Sequence, residues 1–212
     1  MIQTRKIAVI GGTGQLGAAL AGRLAKAGHD VVIGSRSQPA SDGDIPIRSN
    51  AEAAQMAEIV ILAVPFAAQE STLTEIAPHV ANKIVVDTTV PLVPPKVMRV
   101  QLPPEGSAAV RTQNLLGEDV RVVSGFHNVA AYKLAQDIEV ECDVLVFSDD
   151  REARRIVSGL AQDMGLRGIE AGALANSAAA EAMTSILIFL NKTYKVDGAG
   201  LKITGDLTFP ED

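Results

Sequence analysis

Short apolar runs alternate along the chain with longer amphipathic segments. The runs are five to seven residues long and continuous, as in strands that are buried on both faces. They lie at residues 6–10, 30–34, 58–64, 83–87, 120–124 and 142–147. Segments with helical spacing follow at residues 15–27, 51–57, 66–80, 107–115, 149–164 and 176–195. This order is typical of right-handed βαβ units and predicts an α/β fold with a Rossmann-like, doubly wound, mainly parallel sheet.

Two segments without this pattern are predicted loops. Residues 38–47 carry turn residues, and residues 91–104 hold five of the ten prolines. We predict a Rossmann-like domain over residues 1–148 and a small, mostly helical C-terminal domain over residues 149–212. Because the last helix is apolar over a broad face, we expect it to form the contact of a homodimer.

The first predicted strand leads directly into the glycine motif Gly12-Thr13-Gly14-Gln15-Leu16-Gly17. A G-x-G-x-x-G that follows a strand and opens a helix is typical of a dinucleotide-binding loop. Such a loop needs a tight turn at Gly12, close approach of a pyrophosphate at Gly14 and close helix–strand packing at Gly17. Exposed N–H groups and the helix dipole favour the phosphate charge. The alternative is a glycine-rich turn without a ligand.

The end of the second predicted strand indicates which dinucleotide is bound. NAD enzymes carry an acidic residue there, which accepts hydrogen bonds from the adenosine ribose. This chain has Ser35 and Arg36 instead, and no carboxylate before Asp42. A hydroxyl and a guanidinium suit a 2′-phosphate, so the sequence favours NADP(H) over NAD(H). The alternative is an arginine in a solvated loop.

The composition excludes several classes of protein. Hydrophobic residues make up 47% and charged residues 21%, which excludes a disordered or fibrous chain. The net charge of −6 disfavours nucleic acid and anionic membrane surfaces as partners. A single cysteine, Cys142, excludes a disulfide framework. No apolar run reaches the roughly 18 residues of a membrane span, so we expect a soluble, cytoplasmic protein.

Several motifs together resemble the coenzyme F-420-dependent NADP oxidoreductases, over nearly the whole chain. They are the segments 11–17, 28–29, 34–36, 63–66, 83–86, 122–127, 143–150 and 175–177. The resemblance implies reversible hydride transfer between NADP(H) and a deazaflavin, coenzyme F-420, bound over the nicotinamide between the two domains. It also implies that Val64, Pro65 and Phe66 pass the nicotinamide, and that His127 lies close to it. The alternative for Val64, Pro65 and Phe66 is a simple turn into the next helix.

Other residues in these motifs are candidates for cofactor binding. Thr88 follows the fourth strand and should reach the same crevice. Asn128 follows the histidine, and Asn176 stands before the last helix, where it either contacts the second cofactor or only caps that helix. The electron acceptor could also be another flavin-like molecule, and a non-catalytic NADP(H)-binding sensor is an alternative from another class.

His127 is the one candidate catalytic residue. Hydride transfer between flat heterocycles needs mainly positioning, which the cofactors and the loops provide. A histidine N–H could stabilise the charge on the reduced deazaflavin or deliver a proton. Equally, the ring could only orient the nicotinamide amide or fill a gap. His29 and His79 lie at helix ends and are expected at the surface, and no cluster has the spacing of metal ligands, so we predict no metal.

Overall fold

The computed structural model describes residues 3–37 and 43–208. Within them the strands are β1 (Lys6–Ile10), β2 (Asp30–Gly34), β3 (Ile47–Arg48), β4 (Ile59–Leu62), β5 (Ile84–Asp87), β6 (Arg121–Ser124), β7 (Asp143–Val146) and β8 (Arg167–Glu170). The helices are α1 (Gln15–Lys26), α2 (Asn50–Met56), α3 (Phe66–Ile76), α4 (Ala108–Leu116), α5 (Ala131–Leu134), α6 (Arg151–Asp163) and α7 (Ser177–Tyr194). Most of the predicted loop 38–47, namely residues 38–42, lies outside the described residues.

The main sheet has six parallel strands in the order β3-β2-β1-β4-β5-β6. Its central strand β1 is buried on both faces: Ile7 and Val9 belong to one apolar cluster, Ala8 and Ile10 to another. This burial explains why the strand reads as a continuous apolar run. Because the chain reverses its strand order between β1 and β4, the carboxyl ends of these strands border a crevice. The predicted α/β, Rossmann-like fold is confirmed.

A second, two-stranded parallel sheet is formed by β7 and β8, with α6 between them. An antiparallel bridge between Ser124 and Phe147 joins it to the main sheet. Val144 of β7 and Val157 of α6 pack into the same apolar cluster as Ile7. This βαβ unit therefore has one strand on each side of the boundary predicted at residue 148, and the division into two domains stays a prediction.

Three short elements were absent from the sequence-based prediction: β3, β8 and α5. The expectation that His29 lies at the surface is wrong, since only 6% of it is exposed. Its Nδ1 accepts a hydrogen bond from the N–H of Arg5, and its Nε2 lies 3.2 Å from a carboxylate oxygen of Asp163. His79 is half-buried. Among the helices described, none is both long and apolar enough to cross a membrane.

Candidate functional site

The glycine loop joins β1 to α1 at the carboxyl edge of the sheet. Gly11 adopts a positive φ of 78°, and a Cβ there would lie 2.5 Å from the carbonyl oxygen of Ala63. The left-handed backbone conformation, which favours glycine, lies at Gly11, one residue before the predicted tight turn at Gly12. Gly12 is needed for a different reason, since a Cβ there would lie 2.8 Å from the carbonyl oxygen of Val9.

The first turn of α1 offers a place for a phosphate. Its N-cap is Gly14, in extended conformation and without a side-chain capping hydrogen bond. A Cβ at Gly14 would meet only the carbonyl oxygen of Gly11, at 3.3 Å, so the space in front of this backbone is open. Helix N–H groups that no side chain caps can bind an anion. This geometry fits the pyrophosphate position predicted for the motif.

A cavity of about 510 Å³ lies beside this loop. It brings together three segments that the sequence had assigned to one site, at the ends of β1, β2 and β4. The lining residues are Gly11, Thr13, Gly14, Ser35, Arg36, Ser37, Asn50, Ala63, Val64, Pro65, Ala68 and Thr72. The volume is in the range of small-molecule sites. Six of the predicted cofactor-binding residues thus share one cavity: Thr13, Gly14, Ser35, Arg36, Val64 and Pro65.

The end of β2 supplies the polar groups at one side of this cavity. Ser35 is buried, and its hydroxyl lies 3.3 Å from that of Ser37. Arg36 is exposed, and no acidic side chain in residues 3–37 and 43–208 forms an ion pair with it. An unpaired guanidinium beside a hydroxyl at the mouth of a cavity is suited to bind a phosphate.

Other predicted residues lie away from this cavity. Phe66 begins α3, and its ring lies under the guanidinium of Arg111 at 5.3 Å, a cation–π contact that directs the ring toward α4. Thr88 is buried, and its hydroxyl donates to the carbonyl oxygen of Leu62, which ties β5 to β4. Gln15 lines a different groove of about 880 Å³ between α1 and α5. Leu16 packs against the core.

Asn128 and Asn176 make contacts within the chain. Asn128 is buried, and its Nδ2 donates to the carbonyl oxygen of Ala180 at 2.9 Å, which anchors α7 to the end of β6. Asn176 is exposed and donates to the carbonyl oxygen of Ala171 at 3.3 Å. Asn176 is the N-cap residue of α7, as considered from the sequence, but its side chain makes no capping hydrogen bond to the helix.

His127 follows β6 and is buried, with only 7% of it exposed. Its Nε2 lies 3.1 Å from the hydroxyl of Ser124. Burial lowers the pKa of His127 to about 4, although a hydrogen bond to the backbone of Asp87 acts in the opposite direction. The imidazole is therefore neutral at pH 7, and its hydrogen-bond partners are Ser124 and the backbone of Asp87.

A buried carboxylate network below the carboxyl ends of β5 and β6 was missed from the sequence. Asp87 is fully buried and accepts hydrogen bonds from Gln69 Nε2 at 2.8 Å, Thr112 Oγ1 at 2.6 Å and the N–H of Thr89 at 2.7 Å. Burial raises the pKa of Asp87, and these hydrogen bonds lower it. The network fixes α3 and α4 against the strand that precedes Thr88.

A second buried carboxylate belongs to α7. Glu181 accepts hydrogen bonds from the N–H groups of Ala108 and Ala109, at 2.7 and 3.1 Å, at the start of α4. Burial raises the pKa of Glu181 to about 7; the two N–H donors lower it and the charge of Asp87 raises it further. Glu181 therefore ties the C-terminal helix to the main sheet through the first turn of α4.

Three buried polar atoms have no hydrogen-bond partner among the described residues: Asn50 Oδ1, Gln69 Oε1 and Thr89 Oγ1. Only that of Asn50 belongs to a residue lining the cavity. A sequence search could not find these atoms, because asparagine, glutamine and threonine are common on exposed surfaces. Among the described residues, no group of three His, Cys, Asp or Glu side chains is placed to hold a metal ion.

Comparisons with known proteins identify one family. The sequence profile of a family described as coenzyme F420-dependent NADP oxidoreductase matches residues 6–91. The F420-dependent NADP reductase of Methanothermobacter thermautotrophicus is 40% identical to this chain, over 96% of each. That of Methanocaldococcus jannaschii is 38% identical, over 94% of this chain and 98% of the relative.

A solved structure is similar over the same extent. The crystal structure of a candidate F420-dependent NADP reductase from Arthrobacter sp. FB24 has a TM-score of 0.84 and 26% sequence identity. The match covers 95% of this chain and 100% of that one.

Proposed function

The chain belongs to the family of coenzyme F420-dependent NADP oxidoreductases, and from this premise we propose that it transfers a hydride between NADP(H) and the deazaflavin coenzyme F420. The observation that carries the proposal is the single cavity that joins the glycine loop, the Ser35–Arg36 strand end and the Val64–Pro65 strand end. These are the positions that a bound dinucleotide spans in an open α/β sheet.

The residues of the cavity fit NADP(H) by their chemistry. The uncapped start of α1 and the open space before Gly14 would hold the pyrophosphate. Ser35 and Arg36 would hold the 2′-phosphate, and Val64 and Pro65 would form the wall behind the nicotinamide. When bound, the two coenzymes supply the hydride donor and acceptor, and the protein contributes their alignment.

Absorbance spectroscopy tests the activity directly. Mixing the protein with NADPH and oxidised F420 should bleach the near-visible band of the deazaflavin, and omission of either protein or NADPH should abolish the bleaching. Bleaching only with a flavin such as FMN would identify a reductase of another flavin-like acceptor. Tight NADPH binding without turnover of any acceptor would instead support a sensor and would contradict the proposal.

Replacing Arg36 with alanine should weaken NADPH binding by roughly 1.5 to 3 kcal/mol, the contribution of a hydrogen bond to a charged group. NADH lacks the 2′-phosphate, so its affinity should hardly change. Fluorescence titration of both nucleotides measures the two effects. Equal losses for NADPH and NADH would show that Arg36 does not contact the 2′-phosphate.

We further propose that His127 is a neutral ring that orients the nicotinamide amide and does not donate a proton. Its support is the burial of the ring and its contact with Ser124. The rate of hydride transfer in the wild type should then show no inflection that belongs to His127 between about pH 5 and 8. Rate profiles of the wild type and of His127→Asn measure this. An inflection near neutrality that His127→Asn alone removes would show a role in proton transfer.

A homodimer through α7 is the assembly that we propose. Ile186 and Phe189 of α7 are 44% and 47% exposed. The proline-rich loop lies beside them, since Ser185 donates to the carbonyl oxygen of Arg99, and it exposes Met98. Together they form an apolar surface of the kind that dimers cover. Sedimentation velocity should show a dimer at micromolar concentration, and a monomer would contradict the proposal.

We also propose a cytoplasmic location, where NADPH is produced and used.

A further inference from the structure

Asn50 is a buried polar residue that lines the cavity, and only one of the two polar groups of its side-chain amide has a hydrogen-bond partner among the described residues. It begins α2, is 3% exposed, and donates from Nδ2 to a carboxylate oxygen of Glu75 on α3 at 2.9 Å. Its Oδ1 has no partner within the described residues. A buried carbonyl oxygen without a donor is unfavourable, so this oxygen is a candidate acceptor for a bound ligand.

Glu75 fixes the orientation of the Asn50 side-chain amide. A carboxylate only accepts hydrogen bonds, so the NH2 group of Asn50 must point toward Glu75. The opposite rotamer would place two acceptors against each other. The free group of Asn50 is therefore an acceptor, and its ligand must present an N–H or an O–H.

The position of Asn50 indicates which part of the ligand it meets. A Cβ added to Gly34, the last residue of β2, would lie 3.2 Å from Asn50 Oδ1. Gly34 immediately precedes Ser35, at the strand end where dinucleotide enzymes bind the adenosine ribose. An acidic residue supplies the ribose acceptor there in NAD enzymes, and this strand end has none.

We propose that Asn50 Oδ1 accepts a hydrogen bond from the 3′-hydroxyl of the adenosine ribose of NADP(H), and that Glu75 is the positioning residue that orients it. The inference rests on the proposed function. In NADP(H) the 2′-oxygen carries the phosphate, so the 3′-hydroxyl is the donor that remains on this ribose. A neutral amide supplies the acceptor without the repulsion that a carboxylate would exert on the 2′-phosphate.

Nucleotide affinity tests the contact. Asn50→Ala should raise the Kd of NADPH about fivefold, the range expected for one neutral hydrogen bond. The temperature of thermal unfolding should change little, because Glu75, which loses its hydrogen bond to Asn50, is exposed to water. The control is Asn114→Ala, on the exposed face of α4, which should leave the Kd unchanged. A wild-type Kd in Asn50→Ala would overturn the proposal.

Ligand analogues distinguish the ribose from the base. NADPH with a 3′-deoxyribose should bind the wild type about as weakly as NADPH binds Asn50→Ala, and the variant should not discriminate against it. NADPH with hypoxanthine in place of adenine should lose equal affinity for both proteins. If only the wild type discriminated against the hypoxanthine analogue, Asn50 would contact the adenine amino group and the ribose assignment would be wrong.

A double-mutant cycle tests the role of Glu75. Glu75→Ala should weaken NADPH binding in the wild type but not in Asn50→Ala, because Glu75 acts only through the amide. Additive effects would overturn its positioning role.

Asn50→Asp with Glu75→Gln keeps a hydrogen bond between the two positions and introduces a carboxylate. It should weaken NADPH about tenfold relative to NADH, since like charges repel.

The outcomes separate this inference from the function on which it rests. If the wild type binds NADPH and bleaches F420 while Asn50→Ala is unaltered, only the Asn50 contact fails. If the wild type does not bind NADPH at all, the proposed function fails first.

Discussion

The Gly17→Ala variant is expected to lose about 100-fold in NADPH affinity. Gly17 lies in the first turn of α1, where a Cβ would be 2.8 Å from the Cα of Gly12 and closer still to the carbonyl oxygen of Gly11. Both contacts are backbone atoms of the phosphate loop, so the loop itself must shift. A displaced loop loses one or two hydrogen bonds from its N–H groups to the pyrophosphate, and a loss of about 3 kcal/mol of binding free energy corresponds to about 100-fold in a dissociation constant.

A matched control exists in the same helix. A Cβ at Gly22 would meet nothing within 4 Å, so Gly22→Ala should leave NADPH affinity unchanged. Alanine favours the helix over glycine, and the control should therefore be more stable by up to about 1 kcal/mol. Fluorescence titration of NADPH and urea unfolding compare the three proteins. Wild-type affinity in Gly17→Ala would show that the loop does not hold the pyrophosphate.

The main sheet was predictable because its strands are buried on both faces. Residues such as Ile7 and Val60 lie in continuous apolar runs, and these runs alternate with helices at the spacing of βαβ units. The glycine motif was predictable for a similar reason, since backbone contacts leave no room for side chains at Gly12 and Gly17. In both cases local sequence and tertiary packing demand the same residues.

The short strands could not be predicted because their pairing is set by tertiary contacts. β3 pairs only two residues with β2, at Ile33 and Gly34. β8 has the sequence Arg167-Gly-Ile-Glu170, and its glycine packs against Ser158 of α6, where a Cβ would collide with the backbone. Neither segment has the apolar run or the alternation by which a strand is recognised.

The buried polar residues of the site were hidden for the same reason. Nothing local distinguishes Asn50, Asp87 or Glu181 from residues on a solvated face, and each is buried by an element distant in sequence. His127 shows the effect on chemistry, since burial among strands and helices lowers its pKa from 6.5 to about 4. The residue types were visible in the sequence, and their environments were not.

The stability of the protein should fall as the pH rises from about 4.5 to about 7, through Glu181. Burial raises the pKa of this carboxyl from 4.5 to about 7 in the folded state. Below pH 4.5 it is protonated in both states and contributes fully. As the pH rises, the unfolded chain releases the proton first, so the free energy of unfolding decreases until the folded state ionises as well.

The expected loss from Glu181 is about 3 kcal/mol, because each unit of pKa shift corresponds to 1.36 kcal/mol. The raised pKa of Asp87 acts in the same direction. Glu181→Gln cannot ionise and keeps an oxygen that can accept from the N–H of Ala108. The variant should therefore become more stable relative to the wild type between pH 5 and 8, by about 2 to 3 kcal/mol on the same scale.

Urea unfolding at several pH values measures this difference, and Glu118→Gln, at an exposed position after α4, controls for the loss of one charge. Carboxyls such as Asp143, whose pKa is lowered by Arg167, work in the opposite direction in every variant, so only the difference between curves isolates Glu181. Parallel curves for the wild type and Glu181→Gln would mean that the carboxylate at the start of α4 ionises as easily in the fold as in the unfolded chain. The link between α7 and the main sheet would then carry no dependence on pH.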